Sequence, residues 1–140
     1  MKIEIDSNYI IVLEDDVLLE TIVSKIIHSI DPSVKIVWFT DGSQAIDFII
    51  KSAELPEMIL LDILLPGKID GLRFQELIQQ MNEPIPTVFM SSLSRVGFDK
   101  LMRKRNRDLP FIGKPLIENQ AKRVIEICLS QSGHGMPKVA

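Results

Sequence analysis

Four places in this sequence set chemically capable side chains just behind a short apolar run. Glu14, Asp15 and Asp16 follow Tyr9-Ile-Ile-Val-Leu13, and Asp62 follows Met58-Ile-Leu-Leu61. Ser91 and Ser92 follow Pro86-Thr-Val-Phe-Met90, and Gly113-Lys114-Pro115 follows Leu109-Pro-Phe-Ile112. If the four runs are parallel strands, these groups share one edge of a sheet. Carboxylates gathered there repel one another unless a cation sits among them. An oxygen-only ligand set, completed by waters and a backbone carbonyl, suits Mg²⁺. A hydroxyl and an ammonium opposite the carboxylates neutralise and hydrogen-bond an incoming phosphoryl group. The constellation reads as metal-assisted phosphoryl transfer onto a carboxylate, with positioning and charge neutralisation doing most of the catalysis. Plainer readings stand beside it. Asp16 is better read as a helix N-cap, the serines could be turn residues, and Lys114 a surface lysine.

Five apolar runs alternate with helical patterns, the fifth run being Val34-Lys-Ile-Val-Trp-Phe39 between the first and third. The first and third of the five are nearly continuous, as expected for strands covered on both faces. Val17, Ile22, Ile26 and Ile30 give the first helix, which ends before Pro32. Asp41-Gly42 makes a turn, Ser43 reads as an N-cap, and Ala45, Ile46, Ile49 and Ile50 line the second helix. Leu72, Leu77, Ile78 and Met81 supply the third, which stops before Glu83-Pro84. The fourth spans about residues 95–107 with Val96, Phe98, Leu101 and Met102, and Leu116, Val124, Ile125, Cys128 and Leu129 line the last. This alternation predicts an α/β fold, an open parallel sheet with right-handed crossovers and helices on both faces. The ligand crevice of such a sheet lies beyond the carboxyl ends of its strands.

The 140 residues suit one domain, read as residues 1–131 followed by a flexible tail over 132–140. With 46% hydrophobic and 25% charged residues the chain is globular rather than disordered. One cysteine excludes an intramolecular disulfide and a cysteine-based zinc site, which suits the cytoplasm. No membrane span or signal peptide is expected. Charge is uneven, however. Residues 1–70 hold 5 Lys+Arg and 13 Asp+Glu, whereas residues 71–140 hold 11 and 6. Arg95, Lys100, Arg103, Lys104, Arg105 and Arg107 crowd one stretch with only Asp99 opposing them. With no aromatic interleaving or DNA-reading motif, the cluster reads first as a solvated helix face, and nucleic acid is not the expected partner.

The segments Ile11-Val-Leu-Glu-Asp-Asp16, Met58-Ile-Leu-Leu-Asp-Ile-Leu-Leu-Pro-Gly67 with Asp70-Gly71, Pro86-Thr-Val-Phe-Met-Ser91 and Phe111-Ile-Gly-Lys-Pro115 together resemble the receiver domain of two-component response regulators. The resemblance is to the stand-alone, chemotaxis-regulator-like kind and covers about residues 8–131. It implies a flavodoxin-like (βα)5 doubly wound sheet with strand order 2-1-3-4-5. It implies Asp62 as phosphoacceptor, Asp15 as direct Mg²⁺ ligand, Glu14 acting through water, and the Leu64 backbone carbonyl as a further ligand. Ser91 matches the hydroxyl that engages the phosphoryl group and moves on activation, Lys114 the phosphate-pairing lysine, and Phe111 the aromatic switch position. The implied partners are a sensor histidine kinase or histidine phosphotransfer protein, and a downstream protein target. The implied role is a phosphorylation switch rather than an enzyme, one that assists only its own phosphorylation and slow dephosphorylation. With little chain after the last helix, we expect output by protein contact.

Two departures from the family pattern stand out. Pro66-Gly-Lys-Ile-Asp-Gly71 is one residue longer than usual, and Met102-Arg-Lys-Arg-Asn-Arg-Asp108 replaces the usual Gly-Ala pair, which suggests an acidic partner. Leu64 and Leu93, two residues beyond Asp62 and Ser91, offer no polar group to orient an attacking water, so a long-lived phospho-aspartate is expected. A haloacid-dehalogenase-type phosphatase needs a second Asp where Leu64 stands. A dinucleotide-binding site needs a Gly-x-Gly-x-x-Gly that does not follow the first run. The remaining alternative is a receiver-like binding module that is not phosphorylated. His28, His134 and Cys128 read as helix-face, tail and core residues rather than ligands.

Overall fold

Strand and helix alternate five times in the computed structural model, which describes residues 8–81, 84–103 and 110–131. The strands are β1 (Tyr9–Leu13), β2 (Lys35–Phe39), β3 (Met58–Asp62), β4 (Thr87–Ser91) and β5 (Phe111–Gly113). They are followed by α1 (Glu20–Ile30), α2 (Gly42–Lys51), α3 (Gly71–Gln79), α4 (Arg95–Arg103) and α5 (Glu118–Gln131). The sheet is parallel, in the order β2-β1-β3-β4-β5, which is the flavodoxin-like arrangement.

Side-chain alternation splits the core into two layers. Tyr9, Ile11 and Leu13 of β1 face Ala45 and Ile49 of α2, Phe74 and Ile78 of α3, and Phe98 of α4. Ile10 and Val12 face Val23, Ile26 and Ile27 of α1 and Ala121 and Ile125 of α5. The three central strands are buried along their whole length, and this double coverage is why their sequences run apolar without alternation. The edge strand β2 has an exposed Lys35 and four half-buried residues.

Several local expectations need correction. Asp41, not Ser43, caps α2: its Oδ1 accepts from the N–H groups of Ser43 at 2.7 Å and Gln44 at 3.2 Å. Asp16 is the N-cap expected of it, but of a 3₁₀ turn over Val17–Leu19 that leads into α1. That tighter turn rotates Val17 out to 57% exposure; Ile26 is buried as expected, with Val23 and Ile27 beside it, while Ile22 and Ile30 are half-buried. Ile50 is also solvent-facing, at 62%, with Phe48 packed inward. Leu116 packs against the core but precedes α5, and Met81 lies beyond the end of α3. Asp62 and Ser91 are the last residues of their strands rather than the first of the loops. The tail at 132–140, Glu83, His134, Leu109 and the basic residues Lys104, Arg105 and Arg107 lie outside the described residues.

Candidate functional site

Parallel pairing brings the ends of β1, β3, β4 and β5 to one rim. Asp62 pairs with Met90, so Ser91 sits one step further along that edge, and Ser91 in turn pairs with Gly113, just before Lys114. Main-chain bonds tie the rim together: Ile63 N–H donates to Met90 O at 3.2 Å, and Lys114 N–H to Ser91 O at 2.8 Å. At the β1 end, Glu14 N–H donates to Phe39 O at 2.9 Å.

The Lys114 ammonium lies 3.0 Å from Asp62 Oδ2 and also pairs with Glu14 Oε1. Asp62 Oδ1 accepts from the Leu64 N–H at 3.0 Å, and Glu14 Oε2 from the Asp16 N–H at 3.0 Å. Glu14 and Asp62 are buried, while Asp15 is exposed. One carboxylate oxygen from each of Glu14, Asp15 and Asp62 falls within 4.8 Å of the others. One ammonium against three carboxylates leaves surplus negative charge, and the all-oxygen donor set fits a hard divalent cation. Burial pushes the Glu14 carboxyl up to about 7, against the pull of Lys114 and the Asp16 N–H and with a further push from Asp62. Burial works to lower the Lys114 ammonium, but its hydrogen bonds to Glu14 and Asp62 hold it above the ordinary lysine value.

Ser91 is fully buried, and its Oγ accepts from the Leu93 N–H at 3.0 Å. Phe111 stacks on Phe98 of α4 with ring centroids 4.2 Å apart, and Phe98 meets Phe89 edge-on at 5.9 Å. The Arg95 guanidinium lies over the stacked pair, 5.8 Å from the Phe98 ring and 5.7 Å from the Phe111 ring. Arg95 also pairs with Asp99, and of the basic cluster Lys100 and Arg103 are exposed on α4.

Two residues near the rim went unassigned in the sequence. The Trp38 indole N–H donates to the Glu14 carbonyl at 3.1 Å, a contact between residues 24 positions apart that leaves no local pattern. Gly71 opens α3 against the peptide of Asp62, and a Cβ there would stand 2.1 Å from the Asp62 carbonyl oxygen. The visible signal for Gly71 was the Asp70-Gly71 pair, whose Asp70 side chain caps α3.

Residues 10–125 match the family model for the response regulator receiver domain. Among solved structures, the receiver domain of NtrX from Brucella abortus is 26% identical, with a TM-score of 0.71, 86% of this chain and 98% of that chain covered. The bacteriophytochrome response regulator AtBRR is 22% identical, with a TM-score of 0.73 and coverage of 97% and 99%. The phosphorylated cyanobacterial phytochrome response regulator RcpA is 19% identical, with a TM-score of 0.71 and coverage of 94% and 98%. None of the curated proteins compared with the chain matches it. No helix among the described residues is long and apolar enough to cross a membrane.

Proposed function

This chain belongs to the response regulator receiver domain family, and we propose that it is a phosphorelay switch whose phosphoacceptor is Asp62. The observation that carries the reading is the Lys114 ammonium at 3.0 Å from Asp62 Oδ2, beside three carboxylates whose oxygens converge within 4.8 Å. In this reading a histidine kinase or histidine phosphotransfer protein presents a phosphohistidine to the rim. The donor's N–P bond breaks as an O–P bond forms at the Asp62 carboxylate. Asp15, Asp62 and the Leu64 carbonyl, with Glu14 through water, would hold Mg²⁺, which supplies charge neutralisation on the transferring group. Lys114 holds Asp62 in line and remains to pair with the phosphoryl oxygens. The Ser91 hydroxyl, one register step away, exchanges its contact with the Leu93 N–H for the new phosphoryl group. That movement biases Phe111 and the surface around β4 and β5, where a downstream protein reads the state. In this reading the domain works as a switch and not an enzyme, and a cytoplasmic location fits its buried thiol, Cys128.

Beryllofluoride added with Mg²⁺ tests this. Amide shifts at Asp62, Ser91, Lys114 and Phe111 are expected in wild type and absent in Asp62→Asn. A wild-type protein whose spectrum stays unchanged would instead be the unphosphorylated binding module.

A further inference from the structure

We propose that Trp38 is a positioning residue for the acidic pair, acting through the main chain that joins Glu14 to Asp15. The proposal rests on the phosphoacceptor reading above and extends it to a residue outside the rim. Trp38 is the chain's only tryptophan and lies in β2, the edge strand beside β1. Its indole Nε1–H donates to the Glu14 carbonyl at 3.1 Å, while the Glu14 N–H donates to the carbonyl of Phe39, the next residue of β2, at 2.9 Å. The end of the edge strand therefore grips Glu14 at both of its main-chain groups.

The grip on the carbonyl matters most for Asp15. That carbonyl belongs to the planar peptide unit ending at the Asp15 Cα, so fixing its plane fixes a rotation that aims the Asp15 carboxylate. Asp15 is exposed, and packing does little to orient it. A side chain makes this bond because β2 ends at Phe39 and the chain turns through Asp41 into α2. The ladder offers Glu14 no further rung. Groups that orient metal ligands are commonly worth about 10- to 100-fold in metal affinity. Trp38 acts one bond further out than those, so a loss of about three- to tenfold is expected, below that range. Trp38 is half-buried against the core layer of α1 and α5 and lines an open groove of about 590 Å³ with Glu20, Ser24, His28 and Ile36, so a ring of the same shape fits there without overpacking.

Because the chain has one tryptophan, replacing all tryptophan by benzothienylalanine swaps one N–H for sulfur and keeps the ring shape. Calorimetric Mg²⁺ titration of wild type, this analogue and Trp38→Phe should give about three- to tenfold weaker binding in both altered proteins. If Trp38→Phe fails to fold, the analogue carries the test. A purely structural tryptophan would lower the unfolding midpoint in chelator and leave the Mg²⁺ affinity of the folded protein unchanged. That result overturns the proposal alone. A wild-type protein that binds no Mg²⁺ overturns the phosphoacceptor reading along with it.

Discussion

Glu14 is a carboxyl taken out of water and set beside a second carboxylate, and its proton is held accordingly. Its pKa in the fold, about 7, exceeds the ordinary 4.5, so the folded protein binds this proton more tightly than the unfolded chain does. The stability it contributes is complete below the ordinary value and is lost as pH rises through about 7. In chelator, the unfolding midpoint of wild type relative to Glu14→Gln is expected to fall across that window. A cation must displace the same proton, so Mg²⁺ affinity should weaken as pH drops below about 7. An affinity independent of pH there would count against the assignment. Leu64 and Leu93 carry a separate prediction. Leu64 is 58% exposed and Leu93 half-buried, and neither side chain can hydrogen-bond a water beside Asp62. A positioned polar group is worth on the order of 100-fold in such steps. Leu64→Asn with Leu93→Glu should therefore speed loss of the phosphoryl group by about tenfold or more, measured by decay of the phosphorylated protein. An unchanged decay rate would mean that the leucines do not set the lifetime.

At the scale of elements, the site depends on how closely α3 approaches the end of β3. A methyl group at Gly71 would meet the Asp62 carbonyl oxygen at 2.1 Å and the Ile63 Cα at 2.6 Å, so the helix or the strand end has to shift. Gly71→Ala is expected to cost about 1–3 kcal/mol, as overpacking usually does, and to weaken Mg²⁺ binding as well. Gly67 is the contrast. It has φ +97° with open space around it, so Gly67→Ala should cost about 1–2 kcal/mol of backbone strain and leave Mg²⁺ affinity alone. Urea unfolding and Mg²⁺ titration of the two variants separate these effects. The strands were legible because continuous burial leaves continuous apolar runs, and Asp62, Ser91 and Lys114 were legible because they end or follow such runs. Helix caps were less so. Asp41 and Ser43 are both good N-cap types two residues apart, and only the observed backbone shows which one accepts the N–H groups. Val17 and Ile50 kept helical spacing without helical burial, since a 3₁₀ turn and an exposed flank obey no 3.6-residue rule. Trp38 acts on a segment 24 residues away, where periodicity carries no information, and Gly71 is marked only by the Asp70-Gly71 pair, which says nothing of its approach to Asp62.

Across the whole molecule, the acidic rim and the basic α4 surface are joined by short mechanical links. Main-chain bonds run from Ile63 to Met90 and from Lys114 to Ser91, and β5 carries Phe111 onto Phe98 beneath Arg95. Arg95, Lys100 and Arg103 give that helix the positive face expected to meet an acidic partner. A chain of contacts is not itself coupling, which is a free energy shared between two sites. It is reciprocal, and that makes it measurable without knowing the partner. If occupation of Asp62 biases Phe111 and α4, then altering the Phe111–Phe98 stack must change the affinity at Asp62 by the same coupling. Coupling of about 1–3 kcal/mol corresponds to about 5- to 150-fold. Phe111→Ala is therefore expected to change the apparent affinity for beryllofluoride with Mg²⁺ by about fivefold or more. Arg95→Ala, which leaves both rings in place, should have a smaller effect of the same sign. Identical affinities in wild type and Phe111→Ala would show that the rim and α4 respond independently. In that case the signal must leave through another face of the sheet, such as the β3–α3 loop, where the Leu64 N–H already reports on Asp62.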